Sequence, residues 1–157
     1  MTRIIDAIVI HESDSPTGRN DTITDIDQWH VERGFKRTQE PFCSEFHPEL
    51  KACGYHNVIL IDGTQQDGRH PDEIPAAVKD HNAHSINICL IGKGEYTPAQ
   101  WDQLKRLVGE YKVVYPAAEV KGHYEFDTAI AQGKTCPDFP VPAWVASGMI
   151  PMEGHIA

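Results

Sequence analysis

Two mainly apolar runs constrain this fold more than any other feature of the sequence. IIDAIVIH covers residues 4–11 and SINICLIG covers residues 85–92. Both runs are short and rich in β-branched residues, which is typical of buried strands rather than of helices. A polar residue at the end of such a run emerges at an edge of the sheet, and His11 holds that place in the first run. We therefore expect buried strands at the centre of one sheet.

The strongest helix signal follows the second run. TPAQ, residues 97–100, provides an N-cap threonine, a proline at the first helical position and a glutamine that completes a capping box. Apolar residues then recur at spacings of three and four, which predicts a stripe that packs on a sheet: Trp101, Leu104, Val108 and Tyr111. An earlier and shorter helix is predicted to start at a capping box of Thr24 and Asp27 and to end at Gly34.

The other segments complete a single α/β domain. NVILIDGTQQDGR, residues 57–69, predicts a hairpin with an Asp-Gly turn, and AAEVKGH, residues 117–123, predicts a last strand. Residues 36–53 predict a long ordered loop, and a short helix is expected near residues 143–147. Because 157 residues suit one domain, we expect a central mixed β-sheet flanked by helices. The three tryptophans are interpreted as core residues: Trp29, Trp101 and Trp144.

Charge and cysteine usage exclude several classes of protein. Fourteen Lys and Arg against 23 Asp and Glu give a net charge of −9, which repels nucleic acid and anionic membrane surfaces. No apolar run is long enough to span a membrane, and Asp6 interrupts the only candidate signal peptide, so we expect synthesis in the cytoplasm without a signal peptide. No C-x-x-C pair occurs, and reduced thiols are expected, although Cys43 and Cys53 could close a short loop in oxidising surroundings.

Three residues far apart in the sequence could share a metal ion. His11 and His123 each end an apolar strand, and neighbouring strands would project both imidazoles from one end of the sheet. Cys136 lies far enough beyond His123 for a loop to return a thiolate to the same ion. Two histidines and one cysteine suit zinc with a fourth position left open. Spacing alone favours an ordinary strand-end histidine and a small buried cysteine over a metal site.

Five blocks of sequence, in this order, carry a family resemblance: IVIHES, DIDQWHVERGF, GYHNVILIDGTQQDGR, HNAHSINICLIGKG with TPAQWDQLKRLV, and GHYEFDTAIAQGKTCPDF. Together they resemble the zinc-dependent N-acetylmuramoyl-L-alanine amidases, the family that includes phage lysozymes of the amidase type and peptidoglycan recognition proteins. The blocks cover most of the chain between Ile8 and Phe139. The resemblance implies the same α/β fold, a central mixed sheet flanked by helices.

The resemblance also implies roles for individual residues. His11, His123 and Cys136 match the family's zinc ligands. Tyr55 of GYH and Lys134 of KTC match the catalytic side chains beside the metal. His56 and Asn82 are weaker candidates for contacts with the substrate.

The implied reaction hydrolyses the amide between N-acetylmuramic acid and the L-alanine of the stem peptide in peptidoglycan. Two other functions are left open. One is a non-catalytic peptidoglycan-binding module of the same fold, which the presence of Cys136 disfavours. The other is a metal-free hydrolase with Cys136 as nucleophile and His123 as base.

Departures from the family pattern concern the surroundings of the site. Residues 36–53 look like an insertion within a single catalytic domain, residues 1–157, with no separate wall-binding domain. Ala77 or Val78 stands where the family often has a histidine, and Asn87 stands where it often has a glycine. By analogy we expect a monomeric phage or prophage endolysin without stable membrane association, released to the cell wall by a holin.

Overall fold

The computed structural model describes residues 2–157, which contain five strands and five α-helices. The strands are β1 (Ala7–Glu12), β2 (Asn57–Ile59), β3 (Gln65–Asp67), β4 (Ser85–Leu90) and β5 (Glu119–Gly122). The helices are α1 (Ile23–Glu32), α2 (Phe42–Glu45), α3 (Pro98–Val114), α4 (Asp127–Ala131) and α5 (Val141–Ala146).

All five strands form one mixed sheet in the order β3-β2-β4-β1-β5. Strand β1 runs parallel to both of its neighbours, β4 and β5, and the central strand β4 also runs parallel to β2. Only β3 is antiparallel, because it returns from β2 through the predicted hairpin turn. The structure therefore confirms the predicted α/β fold with a central mixed sheet flanked by helices.

Alternation along the central strands assigns their residues to two different cores. On one face, Ile8 and Ile10 pack with Trp101 and Leu104 of α3, in a cluster that also contains Trp144. On the other face, α1 packs in a cluster with β2 and β4 that includes Ile23, Ile26, Val58 and Cys89. Ala7 and Val9 join a smaller cluster near α4 on the same face. Because side chains alternate along a strand, His11 projects on the face that carries α1.

The predicted capping box of α3 is present. The Thr97 hydroxyl accepts a hydrogen bond from the Gln100 backbone N–H at 3.2 Å, and the Gln100 side-chain oxygen accepts one from the Thr97 N–H at 3.0 Å. Trp101, Leu104 and Val108 are buried, as the stripe predicted. A good cap and one apolar face explain why this helix was identifiable from sequence.

The predicted start of α1 is wrong by two residues. The helix begins at Ile23, and the Thr22 backbone N–H donates to the Asp25 carboxylate at 2.8 Å. Asp27 has a different task, since its carboxylate accepts hydrogen bonds from the backbone N–H groups of Ala52 and Cys53, both at 2.7 Å. Asp25 and Asp27 each follow a threonine by three residues, as a capping box requires. Only the tertiary contacts show that Asp25 caps the helix and that Asp27 binds the loop at Ala52 and Cys53.

Several other boundaries are also shifted. Ile4 is 79% exposed and precedes β1, which starts at Ala7, where pairing with β4 begins. β5 ends at Gly122, so His123 opens a short 3-10 turn instead of ending the strand. Residues 36–53 are the expected loop, with only the four-residue α2 inside it. All four cysteines are free, so the Cys43–Cys53 bridge is not formed.

None of the helices in residues 2–157 combines the length and the apolar character needed to cross a membrane.

Candidate active site

Strand pairing brings two histidines together at one end of the sheet. His11 is the penultimate residue of β1, and His123 directly follows β5, which runs parallel to β1 and beside it. Their ring centroids are 4.6 Å apart, and both residues are buried. Parallel neighbours end at the same edge of a sheet, which is why two residues far apart in sequence meet there.

Cys136 completes this cluster from the loop after α4. Its Sγ atom lies 3.6 Å from His123 Nδ1 and 3.9 Å from His11 Nδ1. One ligand atom from each of the three residues lies within 4.8 Å of the others, so the cluster could hold a metal ion. Among the described residues, no other group of three histidine, cysteine or acidic side chains has this geometry.

Burial determines the charge of the cluster. It lowers the pKa of His123 to about 4, with Lys134 adding to the effect, and it lowers the pKa of His11 well below its ordinary value. Burial also raises the pKa of the Cys136 thiol to about 12, and the nearby Glu12 and Asp138 carboxyl groups act in the same direction. Both imidazoles are therefore neutral near pH 7, which is the form that binds metals.

The cluster borders an open cleft of about 800 Å³. Five of the residues selected from sequence line it: Tyr55, Asn82, His123, Lys134 and Cys136. The Tyr55 ring centroid lies 5.1 Å from that of His11, and burial raises the pKa of the Tyr55 hydroxyl well above its ordinary value. Lys134 is exposed on the loop that carries Cys136. The structure thus places a phenol and an ammonium group beside the cluster.

The two residues selected as substrate contacts have different environments. The Asn82 side-chain oxygen accepts hydrogen bonds from the backbone N–H groups of Ala77 and Val78, both at 2.9 Å, and it shapes the cleft wall. His56 is only 1% exposed and lies outside the residues that line the cleft. Its Nε2 contacts the Glu73 carbonyl oxygen at 3.0 Å, while its Nδ1 accepts from the Asn87 N–H at 3.0 Å. His56 therefore has a structural role, because it links the Asn87 backbone of β4 to the Glu73 carbonyl.

Sequence reasoning missed several residues that line the cleft. Trp29, interpreted as core, is half-buried and shares the cleft wall with Arg33, one turn further along α1. Their spacing of four was the available signal, since residues at i and i+4 share a helix face. Glu12 and Asp138 also line the cleft. Burial raises the pKa of Glu12 to about 9, and the nearby Asp138 carboxyl group acts in the same direction.

The fold and the cleft together define a class of protein. A buried histidine–cysteine cluster at the end of an α/β sheet, with a tyrosine and a lysine at the mouth of the cleft, is typical of a hydrolase.

Comparison with known proteins makes this class specific. The family model for N-acetylmuramoyl-L-alanine amidase matches residues 1–139, and the chain belongs to that family. The endolysin of Klebsiella phage KP32 is 30% identical over 94% of this chain and 90% of its own length. The predicted family, the predicted enzyme class and the predicted amidase function are thereby confirmed.

Solved structures agree with this fold. The N-acetylmuramoyl-L-alanine amidase LysC from Clostridium intestinale superposes with a TM-score of 0.71 at 24% identity, covering 94% of this chain and 87% of its own. A mutant of Drosophila PGRP-LB in complex with tracheal cytotoxin superposes with a TM-score of 0.69 at 22% identity, covering 100% of this chain and 86% of its own. At these identities the likeness concerns the fold alone.

Proposed function

We propose that this amidase uses zinc, held by His11, His123 and Cys136, to hydrolyse the amide between N-acetylmuramic acid and L-alanine of peptidoglycan. The observation that carries the proposal is the convergence of these three side chains within 4.8 Å at the edge of the cleft. They come from β1, from the turn after β5 and from the loop after α4, and nothing in the local sequence requires them to meet.

The spacing of the ligand atoms supports zinc. Tetrahedral zinc bonds nitrogen at about 2.0–2.1 Å and sulfur at about 2.3 Å, which places the two ligand atoms about 3.6 Å apart. The Sγ to Nδ1 distances of 3.6 and 3.9 Å are close to that value. Two imidazoles and one thiolate leave a fourth tetrahedral position for solvent, which distinguishes catalytic from structural zinc sites.

Zinc would supply Lewis acidity, lowering the pKa of water from about 15.7 toward 7 and polarising the scissile carbonyl. The pKa of the Cys136 thiol bears on the alternative of a metal-free hydrolase. With a thiol pKa raised to about 12, Cys136 is protonated near neutral pH and is a poor nucleophile by itself. This environment supports a ligand role for Cys136 over the metal-free cysteine hydrolase.

Lys134 and Tyr55 are proposed as the catalytic side chains. The exposed Lys134 ammonium, at the mouth of the cleft, would stabilise negative charge that develops on the carbonyl oxygen. Tyr55 lies against His11 and faces the same cleft, where its neutral hydroxyl would orient the attacking water.

The cleft suits a substrate that carries carboxylates. The chain as a whole has a net charge of −9, yet the cleft lining has four basic side chains, Arg33, Lys79, Lys93 and Lys134. Two aspartates, Asp14 and Asp138, oppose them, and Lys93 pairs with Asp14 at 2.7 Å, so Arg33, Lys79 and Lys134 are the cations that favour a carboxylate. A stem peptide would lie along this wall, with Asn82 shaping the segment beside it. We further propose that the protein acts on the cell wall as a monomeric endolysin, released from the cytoplasm by a holin, as a single catalytic domain.

Metal analysis combined with mass spectrometry of digested peptidoglycan tests this proposal. We expect one zinc per chain and release of stem peptides with a free L-alanine amine. Cys136→Ser should lose zinc and activity together, because serine is a poor zinc ligand. Cys43→Ser removes a partly exposed thiol that belongs neither to the cluster nor to the cleft lining, so it is the matched control and should keep both.

Two results would overturn the proposal. A wild-type protein that binds peptidoglycan but releases no stem peptide would be a binding module. A wild-type protein whose turnover survives strong chelators, yet is lost in Cys136→Ser, would be a thiol hydrolase.

A further inference from the structure

The His11 imidazole is held on the side that faces away from Cys136. Its Nε2 atom lies 2.7 Å from the side-chain oxygen of Asn87, and both residues are buried, with exposures of 1% and 0%. His123 differs, because among residues 2–157 its ring has no side-chain hydrogen-bond partner except Cys136. The two histidines of the cluster are therefore positioned by different means.

Ser85 determines which way the Asn87 amide points. The Asn87 Nδ2 group donates to Ser85 Oγ at 2.8 Å, and the Ser85 hydroxyl donates in turn toward the Asn82 carbonyl oxygen at 3.5 Å. A carbonyl oxygen only accepts, so the serine proton is directed there and the serine oxygen accepts from the amide. The amide oxygen of Asn87 is left facing His11.

This orientation selects one tautomer of His11. A carbonyl-type oxygen 2.7 Å away requires a proton on Nε2, which leaves the lone pair on Nδ1. Nδ1 is the atom that faces Cys136 Sγ at 3.9 Å. A flipped amide would place the proton on Nδ1 and block the atom that must bind a metal.

The backbone holds Asn87 in place for this task. Ser85 and Asn87 alternate on β4 toward the same face as His11 on the paired strand β1. The Asn87 backbone N–H donates to His56 Nδ1 at 3.0 Å, and its carbonyl oxygen accepts from the His56 N–H at 2.9 Å. His56, initially selected as a substrate contact, thus clamps the residue that contacts His11.

We infer that Asn87 is a positioning residue, which holds His11 in the tautomer and rotation that metal binding at Nδ1 requires. The inference rests on the proposed zinc site. It includes Ser85 as the group that orients the amide.

The test measures zinc affinity by competition with a chromophoric chelator, and the His11 tautomer by ¹⁵N NMR of the zinc-free protein. Asn87→Leu keeps the side-chain size and removes the acceptor. Loss of such an outer contact typically weakens metal binding about 10- to 100-fold, and we expect that loss here. The Nδ1-protonated form of His11 should also rise. Asn87→Asp keeps an acceptor oxygen and should restore affinity to within a few fold of wild type.

Asn57→Leu is the matched control. Asn57 is also a buried asparagine of the sheet, with hydrogen bonds to Asp67 at 2.9 Å and to the Tyr111 hydroxyl at 2.6 Å, but it lies on β2 away from the cluster. Its replacement should lower stability and leave zinc affinity unchanged. Equal zinc affinity in Asn87→Leu and wild type, or equal losses in the two Leu variants, would overturn the inference.

A milder variant covers the case in which the Leu variants do not fold. Ser85→Ala frees the Asn87 amide to flip, so we expect a several-fold loss of zinc affinity together with more Nδ1-protonated His11. An unchanged tautomer and unchanged affinity would refute the role of Asn87. Wild-type protein that binds no zinc at all would instead refute the proposed function, and the two failures are thus distinguishable.

Discussion

Two loops of this protein are stabilised in opposite ways. The Arg37 loop, residues 36–53, surrounds a buried guanidinium that donates to the backbone carbonyls of His47 at 2.7 Å and Leu50 at 3.0 Å. The same guanidinium forms a two-point ion pair with Glu73, at 2.8 and 3.0 Å. One buried cation therefore satisfies carbonyl groups that a loop without regular structure would otherwise leave unpaired.

The cysteine loop, residues 132–138, has no such centre. Residues 131–135 are exposed, and the loop is attached through backbone bonds such as Tyr124 N–H to the Cys136 carbonyl at 3.2 Å. The Tyr96 hydroxyl donates to the Pro137 carbonyl at 2.7 Å. This loop carries Lys134 and Cys136 to the cleft. The comparison teaches that the longer loop is organised for stability, whereas the shorter loop presents side chains for chemistry.

The substitution Arg37→Met is expected to have the largest effect, a loss of stability that comes from the Arg37 loop. Removing the guanidinium leaves Glu73, which is fully buried, with only the longer 3.8 Å contact to Arg69, and breaking a buried pair in this way costs about 3–5 kcal/mol. Urea unfolding measures the free energy directly. Arg19→Met is the control, since Arg19 also pairs with a carboxylate but its side chain is 52% exposed, and such pairs contribute about 0–1 kcal/mol. Similar losses in both variants would contradict a special role for the buried pair.

Lys134→Met should lower turnover and leave stability nearly unchanged, in contrast to Arg37→Met, which should lower stability. Removal of one group that stabilises an oxyanion lowers turnover about 10²- to 10³-fold in other enzymes, and we expect a decrease of that size in stem-peptide release. Because Lys134 is exposed, the unfolding midpoint should stay close to that of wild type. Lys105→Met, on the solvated face of α3, should leave turnover unchanged. A Lys134→Met protein that is clearly less stable than wild type but keeps its turnover would show that the cysteine loop contributes to stability and not to chemistry.

Acid should weaken the fold through two buried histidines, of which His56 belongs to the network around Glu73. Burial lowers the pKa of His56 to about 3 and that of His30 to about 4, below the value of about 6.5 for an unfolded chain. Only the unfolded chain then binds these protons as pH falls below 6.5, so stability is complete above that pH and decreases below it. At pH 5.5 we expect a loss of about 1.4 kcal/mol for each histidine.

Urea unfolding at pH 7.5 and 5.5, with saturating zinc, measures this loss. His30→Gln should reduce the pH dependence by the share of one histidine, whereas replacement of the exposed His84 should not change it. If the slope is the same in all three proteins, the acid sensitivity arises elsewhere.

The smallest effect is expected at the end of the Arg37 loop, where Asp27 accepts hydrogen bonds from Ala52 and Cys53. Asp27→Asn keeps an acceptor oxygen but removes the charge, so unfolding should become easier by about 1 kcal/mol. Thermal or urea unfolding gives the value, with Asp102→Asn on the exposed face of α3 as the neutral control. A loss as large as that of Arg37→Met would show that the loop depends on both anchors equally.

Much of the fold was predictable because its signals are local. The apolar runs around β1 and β4, the capping box of α3 and the Asp-Gly turn each follow from a few adjacent residues. Boundaries were less predictable, as the two candidate capping boxes near α1 show. Thr22 and Thr24 fit the same spacing rule, and the choice depends on where Asp27 meets residues 52 and 53.

The candidate site was only partly predictable. The strand ends at His11 and His123 could be located by pattern, and family resemblance selected Cys136, Tyr55 and Lys134. The polar Ser85 and Asn87 within an apolar run signalled a buried polar contact, but no pattern names a partner 76 residues away. For the same reason, His56 was selected for the cleft although it lies beneath it.

The sequence by itself determined which segments become strands and helices, and which chemical groups stand at their ends, because these properties depend on neighbours along the chain. Tertiary structure alone decided that His11, His123 and Cys136 meet, that Asn87 faces His11, and that a buried Arg37 organises a long loop. The physical reason is that these contacts depend on strand order, on register and on the burial of polar groups that must find partners, and such partners lie far apart in the sequence.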